Sequence, residues 1–352
     1  MRRREFIIGS VASAATLSFA GVPEFLRAST NMGIVVHSYG ARGRSDNSSK
    51  KYPRFEDAIQ LIEHCAKIGA GGVQTIVRDW SDDFTKKVRD RREKLGLYLE
   101  GSIRLPISAD EVAQFEKDVL SAKEAGASVL RAVCGGRRYE IMKTSEEFKD
   151  WKLKSIFSMQ LAEPVVSKHQ MRLAIENHKD WRATELSDVM KQLDSEWVGV
   201  TLDFGNSIAL LESPIDVTNT LAPYVYSTHV KDMGVATYDK GFLLSEVPLG
   251  QGMVDLKAIV ATCKKYNPKI TFNLEMITRD PLEIPCLTDG YWATFGDVTG
   301  QELSRTLRMV KEKMKDKPLP TVTQLDDEGR LEIEEKNNLA CLEYSRKSLG
   351  MV

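Results

Sequence analysis

The chain lacks a dominant charge. Its 49 Lys and Arg stand against 50 Asp and Glu, a formal −1 over 352 residues. So balanced a surface has no field with which to gather a polyanion, and nucleic acid is not an expected partner. Cysteine is sparse and dispersed: Cys65, Cys134, Cys263, Cys286 and Cys341 contain no CxxC pair. An odd, scattered set excludes a disulfide scaffold and a zinc knuckle. Cys65 and Cys263, in helix-like segments, read as core fillers. Beyond the N-terminus no apolar run approaches the ~20 residues of a membrane span. No GxGxxG follows the first strand-like run, so the dinucleotide cradle of an open α/β sheet is missing. What remains is the composition of a soluble globular protein, with 42% apolar residues to build a core.

The N-terminus stands apart. Arg2, Arg3 and Arg4 precede Phe6, Ile7 and Ile8 and a small-residue apolar stretch that ends near Val22, before Pro23 and Glu24. This looks like a twin-arginine export signal, with cleavage after Ser18-Phe19-Ala20 or after Ala28. A Sec signal or an uncleaved anchor is the alternative. Residues 1–30 are therefore set outside the fold, and a periplasmic or exported protein is expected, with no stable membrane insertion once the signal is removed.

From residue 31 to 317 strand-like and helix-like segments alternate. Strands are expected at 32–37, 71–77, 97–103, 128–134, 172–177, 198–203, 224–230 and 269–276. Helices are expected at 55–68, 82–95, 109–125, 145–169, 184–193, 215–221, 255–266 and 300–315. Ser108 with Glu111 three residues on reads as a capping box for the third helix. Eight such units predict a (β/α)8 TIM barrel, which needs about 250 residues. Two stretches lengthen the C-terminal rim, 233–253 and 278–299. The second carries Tyr291, Trp292 and Phe295, an aromatic wall or lid for a sugar. Residues 318–352 form a C-terminal extension expected to pack on the barrel as an extra helix.

Four acidic or imidazole residues close four successive strands: Glu176, Asp203, His229 and Glu275. In a barrel the C-terminal strand ends face one pocket, so three carboxylates and an imidazole converge there. That donor set suits one divalent ion, Mn²⁺, Mg²⁺, Co²⁺ or Zn²⁺, leaving room for two oxygens of a small carbohydrate. The ion would polarise a carbonyl while a flanking carboxylate moves the neighbouring proton. Glu176 and Glu275 are the candidate acid/base pair. Lys231 is a candidate for neutralising the developing charge, unless it simply pairs with Asp232. His178, His37, Glu100, Arg104 and Arg131 are candidates for lining the pocket. Gly250 and Gly252 read as turn formers rather than a phosphate cradle.

The segments Glu176-Asn177-His178, Leu202-Asp203-Phe204-Gly205-Asn206, His229-Val230-Lys231-Asp232, Pro248-Leu249-Gly250-Gln251-Gly252 and Leu274-Glu275 resemble those of the xylose-isomerase-like TIM-barrel family. The resemblance spans about residues 32–315 and is carried by the second half. It implies sugar isomerase or epimerase chemistry, with Glu176, Asp203, His229 and Glu275 as ligands and Glu176 and Glu275 moving protons. The chain departs from the ketose 3-epimerase branch at Asn206, where that branch carries a substrate-contacting histidine. The endonuclease branch uses many histidines for a multinuclear zinc site, and this chain has five in all.

The reading is thus an exported, metal-dependent sugar isomerase or epimerase working through an enediolate. A lyase or dehydratase of a keto-sugar or 3-keto-glycoside is the alternative, and a non-catalytic carbohydrate-binding barrel the third. Trp292 and Asn206 are included among the expected substrate contacts. A homo-oligomer is compatible with the sequence.

Overall fold

Short, almost wholly buried runs make the strands. In the computed structural model the described residues are 29–352, so the export-signal stretch ending near Val22 and both cleavage points lie outside them. Seven parallel strands come first: β1 (Gly33–Val35), β2 (Gly72–Ile76), β3 (Tyr98–Ser102), β4 (Ala127–Ala132), β5 (Arg172–Glu176), β6 (Val198–Asp203) and β7 (Val225–Val230). Then come β8 (Asp232–Tyr238), β9 (Gly241–Val247), β10 (Asn273–Leu274) and β11 (Leu282–Ile284). β1 pairs with both β2 and β10, closing a barrel in the order β1-β10-β7-β6-β5-β4-β3-β2. All six residues of β6 are buried, as expected of a parallel strand covered on both faces.

The helices α1 (Ala58–Lys67), α2 (Asp82–Leu95), α3 (Val112–Glu124), α4 (Arg138–Ile141), α5 (Ser145–Lys168), α6 (Ala183–Leu193), α7 (Pro214–Leu221) and α8 (Leu256–Tyr266) surround it. They are followed by α9 (Asp289–Trp292), α10 (Gly300–Lys313) and α11 (Asp327–Ser348). Helix α1 buries Leu61, Ile62, Cys65 and Ala66, one stripe at helical spacing, and starts at Asp57, whose side chain accepts from Gln60 N. Helix α2 runs from a Ser81 cap to Gly96, whose φ of 68° closes the last turn. Among the described residues no helix is long and apolar enough to cross a membrane.

Several local expectations are corrected. The first strand stops at Val35, and Val36–Tyr39 turn as a 3₁₀ helix, so His37 sits on a turn beside the rim. The capping box at Ser108 does not form. Ala109–Glu111 are 3₁₀, Ser108 makes no side-chain cap, and Glu111 accepts from Ile107 N instead. The last barrel strand shrinks to Asn273–Leu274, although Glu275 N still donates to Val230 O at 3.0 Å. The rim stretch at 233–253 is not a loop but holds most of the β8–β9 hairpin. β11, from the second rim stretch, adds to β9 as a third antiparallel strand.

Helix α11 lies against the turn that carries His37. The Glu334 carboxylate accepts from Ala41 N and Arg42 N, and Asn338 Nδ2 donates to Ser38 O at 2.8 Å. Ser38 Oγ in turn donates to Leu274 O and accepts from Met276 N. The C-terminal extension thereby holds both neighbours of Glu275 in place.

Candidate metal centre

Strand periodicity delivers the four ligands. Side chains two residues apart share a face of a strand, so Ser227 and His229 both point into the barrel, as do Asn273 and Glu275. Asp203 stands level with His229 in the ladder. Candidate ligand atoms of Glu176, Asp203, His229 and Glu275 all lie within 4.8 Å of one another, and all four residues are buried. The four residues that the sequence sets at strand ends are brought together in one group.

Beneath them lies a polar layer. Glu100 accepts from Gln74 Nε2 at 2.9 Å, Ser227 Oγ at 2.6 Å and Asn273 Nδ2 at 3.0 Å, and also from Thr271 Oγ1. A carboxylate can only accept here, so the Gln74 amide is oriented with Nε2 toward Glu100 and Oε1 toward His229. That oxygen sits 2.8 Å from His229 Nε2, which must donate to it. The other ring nitrogen, Nδ1, faces Glu176 Oε2 (3.4 Å), Glu275 Oε1 (3.4 Å) and Asp203 Oδ2 (4.0 Å). Neither Nδ1 nor Asp203 Oδ2 has a hydrogen-bond partner. Three anionic oxygens around that nitrogen in a dry interior call for positive charge there, a proton on Nδ1 or a metal ion bound to it. Burial opposes a charged imidazole, yet Glu275 and Glu176 raise the His229 pKa: the carboxylates draw positive charge to this point. The residues present therefore fit a divalent ion held by Glu176, Asp203, His229 Nδ1 and Glu275, with Gln74 and Glu100 fixing the tautomer.

Each carboxylate is also tied from behind. Asp203 Oδ1 accepts from Gly205 N and Asn206 N, turning Oδ2 to the centre. Arg131 Nε donates to Glu176 Oε2 at 2.7 Å, helped by Nη2, and Asn206 Nδ2 donates to Oε1 at 3.0 Å. Burial alone would raise Glu176, but Arg131 and then His229 overcome it and bring its pKa to about 2. Lys231 Nζ lies 2.6 Å from Glu275 Oε2 and 2.8 Å from Asp203 Oδ2, the second an ionic contact without hydrogen-bond geometry. Burial works against Glu275 ionising too, and Lys231 and His229 hold it well below the usual carboxylate range. Its other oxygen meets His37 Nδ1 at 3.1 Å, and that imidazole is 40% exposed.

The remaining candidates divide. Arg131, His37, Lys231 and Asn206 all contact a ligand of the group. His178 is next to it in the chain, its Nδ1 buried and without a partner; burial and then Lys179 push its pKa down to about 4. Glu100 does not line the pocket: it is fully buried, one layer below. Arg104 points to solvent beside Glu111. Lys231 does not pair with Asp232, whose carboxylate accepts from the N–H groups of Met233, Gly250, Gly252 and Val254 and shapes that turn. Gly250 has a φ of +83° and a Cβ on Gly252 would strike Asp232, which explains both glycines as turn formers. Tyr291 and Phe295 stack and are buried. Trp292 keeps some exposed surface, and its Nε1 is bonded within its own loop to Cys286 O.

Gln74, Lys179 and Asn177 are absent from the sequence-level set. Polar residues two positions before a ligand, Ser227 and Asn273, are the signal that could have revealed the layer that Gln74 belongs to. Lys179 gave no periodic signal. A cavity of about 570 Å³ lies between β8–β9 and the 313–325 segment, with Glu246, Met276 and Arg279 on its wall.

A closed parallel barrel with three carboxylates and an imidazole gathered at one end defines a recognisable class. The family pattern of the xylose isomerase-like TIM barrels matches residues 62–290, and the chain belongs to that family. A relative, 3-oxo-isoapionate decarboxylase of Pectobacterium atrosepticum, is 25% identical over 223 residues, 62% of this chain and 76% of that protein. Among solved structures, a D-psicose 3-epimerase in the presence of D-fructose aligns with a TM-score of 0.57 at 16% identity, covering 91% of this chain and 99% of that one. A xylose isomerase-like TIM-barrel protein from Mycobacterium smegmatis, in complex with magnesium, aligns with a TM-score of 0.52 at 16% identity, covering 80% and 99%. The structural likenesses establish the fold.

Proposed function

We propose that the protein is a divalent-metal-dependent enzyme that transfers a proton next to the carbonyl of a sugar or sugar derivative. The bound ion would polarise that carbonyl and stabilise the enediolate left when the proton departs. The observation that carries this reading is His229 Nδ1 fixed among three carboxylates by the Nε2 bond to Gln74.

The two candidate proton-moving carboxylates are not equivalent. Both carboxyls are held below their usual range, Glu176 by Arg131 and Glu275 by Lys231, and they differ in access: Glu176 is fully buried, with both oxygens held by Arg131 and Asn206. Glu275 has the half-exposed His37 on one oxygen, a relay by which a proton can reach solvent. Proton transfer from one side fits aldose–ketose isomerisation, where a single base returns the proton to the neighbouring carbon. Epimerisation needs a second group on the opposite face and asks more of Glu176.

A lyase reading has its own support. The Pectobacterium relative is named a decarboxylase. Loss of carbon dioxide from a 3-oxo acid leaves the C–C electron pair in an enolate on the same carbonyl oxygen, an enediolate where the carbon losing it bears a hydroxyl, and that carbon then takes up a proton.

The test is an NMR screen of keto-sugars, 3-keto-glycosides and keto-sugar acids in heavy water with Mg²⁺ or Zn²⁺. Deuterium entering an intact skeleton supports isomerisation or epimerisation, whereas an unsaturated product or released carbon dioxide supports the lyase. Saturable sugar binding without exchange or turnover would contradict the enzyme reading.

A further inference from the structure

Lys179 is a buried ammonium that bonds a neutral amide rather than a carboxylate. It sits in the β5–α6 connection, is 3% exposed, and donates from Nζ to the neutral Asn206 Oδ1. Among the described residues no carboxylate is in ion-pair contact with it. Those nearby have closer cations: Glu246 has Arg279 (3.1 and 2.5 Å), Glu176 has Arg131, and Glu275 and Asp203 share Lys231. Lys231 Nζ also lies 3.4 Å from Asn206 Oδ1, so two ammonium groups converge on one amide oxygen. Burial first, and then Lys231, push the Lys179 pKa down to about 8. The segment is not free to swing out. Arg138 N donates to Lys179 O at 2.8 Å, and the flanking Asn177, Asp180 and Trp181 are buried.

Charge counting sharpens the point. With Glu100 included, the four buried carboxylates Glu100, Glu176, Asp203 and Glu275 exceed the three buried cations Arg131, Lys231 and Lys179 by one. A divalent ion then leaves this interior positive by one, and uncompensated buried charge is costly. An anionic ligand removes that cost.

We propose that Lys179 is an anion-binding group of the substrate site and that the carbohydrate it receives carries a carboxylate. This rests on the sugar-carbonyl reading above and adds the substrate's charge to it. A carboxylate fits better than a phosphate. A phosphate dianion calls for several donors, as at a helix N-terminus, and the start of α6 is already occupied by Glu212, which accepts from Ala183 N.

The test compares D-fructuronate with D-fructose, ketoses that differ in whether the terminal carbon is a carboxylate. Calorimetry on the Mg²⁺-loaded protein should find D-fructuronate tighter by roughly 10–100-fold, the worth of one buried charged hydrogen bond. Lys179→Met should bring the two sugars to parity, while Lys179→Arg keeps the preference. Should Lys179→Met fail to fold, the wild-type comparison together with Lys179→Arg decides. Equal wild-type affinities, a preference that survives Lys179→Met, or tighter binding of D-fructose 6-phosphate than of D-fructuronate would overturn the proposal. The two readings fail separately. Deuterium exchange on neutral ketoses with no carboxylate preference removes the Lys179 assignment alone. A carboxylate preference with no exchange or reaction of any sugar leaves Lys179 standing and removes the enediolate chemistry.

Discussion

Glu275→Gln is expected to lower turnover by about 10²–10⁴-fold, the usual worth of a positioned proton-transfer group. The amide keeps the shape of the side chain and one oxygen for the ion, but it can neither take a proton nor pass one to His37, 3.1 Å away. Lys231 loses one anionic partner and keeps Asp203, so the interior should remain folded. The measurement is kcat on whichever keto-sugar the screen identifies, with substrate binding and metal content determined alongside. Turnover that persists at wild-type rate would remove Glu275 from proton transfer. A fall explained entirely by lost metal would make it a ligand only.

Gln74→Leu should weaken divalent-metal affinity by about 10–100-fold, although the residue touches no metal ligand atom facing the centre. Its amide is the sole link between Glu100 and His229 Nε2, and it decides which ring nitrogen keeps the proton. Without it the ring can turn or exchange tautomers, and the Nδ1 lone pair is no longer held among the carboxylates. Glu100 keeps Ser227, Asn273 and Thr271 as donors, so the barrel interior survives the change. Metal titration gives the affinity. The ¹⁵N shifts of His229 in the Zn²⁺-loaded protein give the tautomer, expected as Nε2–H in the parent and mixed in the variant. Unaltered affinity and an unaltered tautomer would show that Gln74 is merely structural.

The barrel and the four ligands were legible in the sequence because both follow from strand periodicity. A buried parallel strand is a short apolar run, and a polar residue closing such a run points where its neighbours' closing residues point. Glu176, Asp203, His229 and Glu275 obey that rule and converge. Where the same reasoning failed, the cause lies in contacts between distant segments. The hairpin of β8 and β9 follows Val230 almost without a break, so Asp232–Val247 read as an extension of the rim until pairing with Leu282–Ile284 is considered. Glu100 looked like a pocket group because it lies in a strand, but its depth depends on where β3 stands relative to β7 and β10, and barrel stagger is not written in one strand. Lys231 next to Asp232 suggested a pair. Alternation along the chain sends the two side chains apart, one to Glu275 and the other to the backbone of the 250–254 turn. Lys179 was invisible since nothing local distinguishes a buried lysine from a solvated one.

The central claim is that one divalent ion is held jointly by the last four barrel strands. Anomalous diffraction at the manganese edge from crystals soaked in Mn²⁺ tests it most directly. The account predicts a single strong peak within about 2.0–2.4 Å of a carboxylate oxygen from each of Glu176, Asp203 and Glu275 and of His229 Nδ1. A peak bonded to Nε2, a peak elsewhere, or no peak among these four side chains would contradict it.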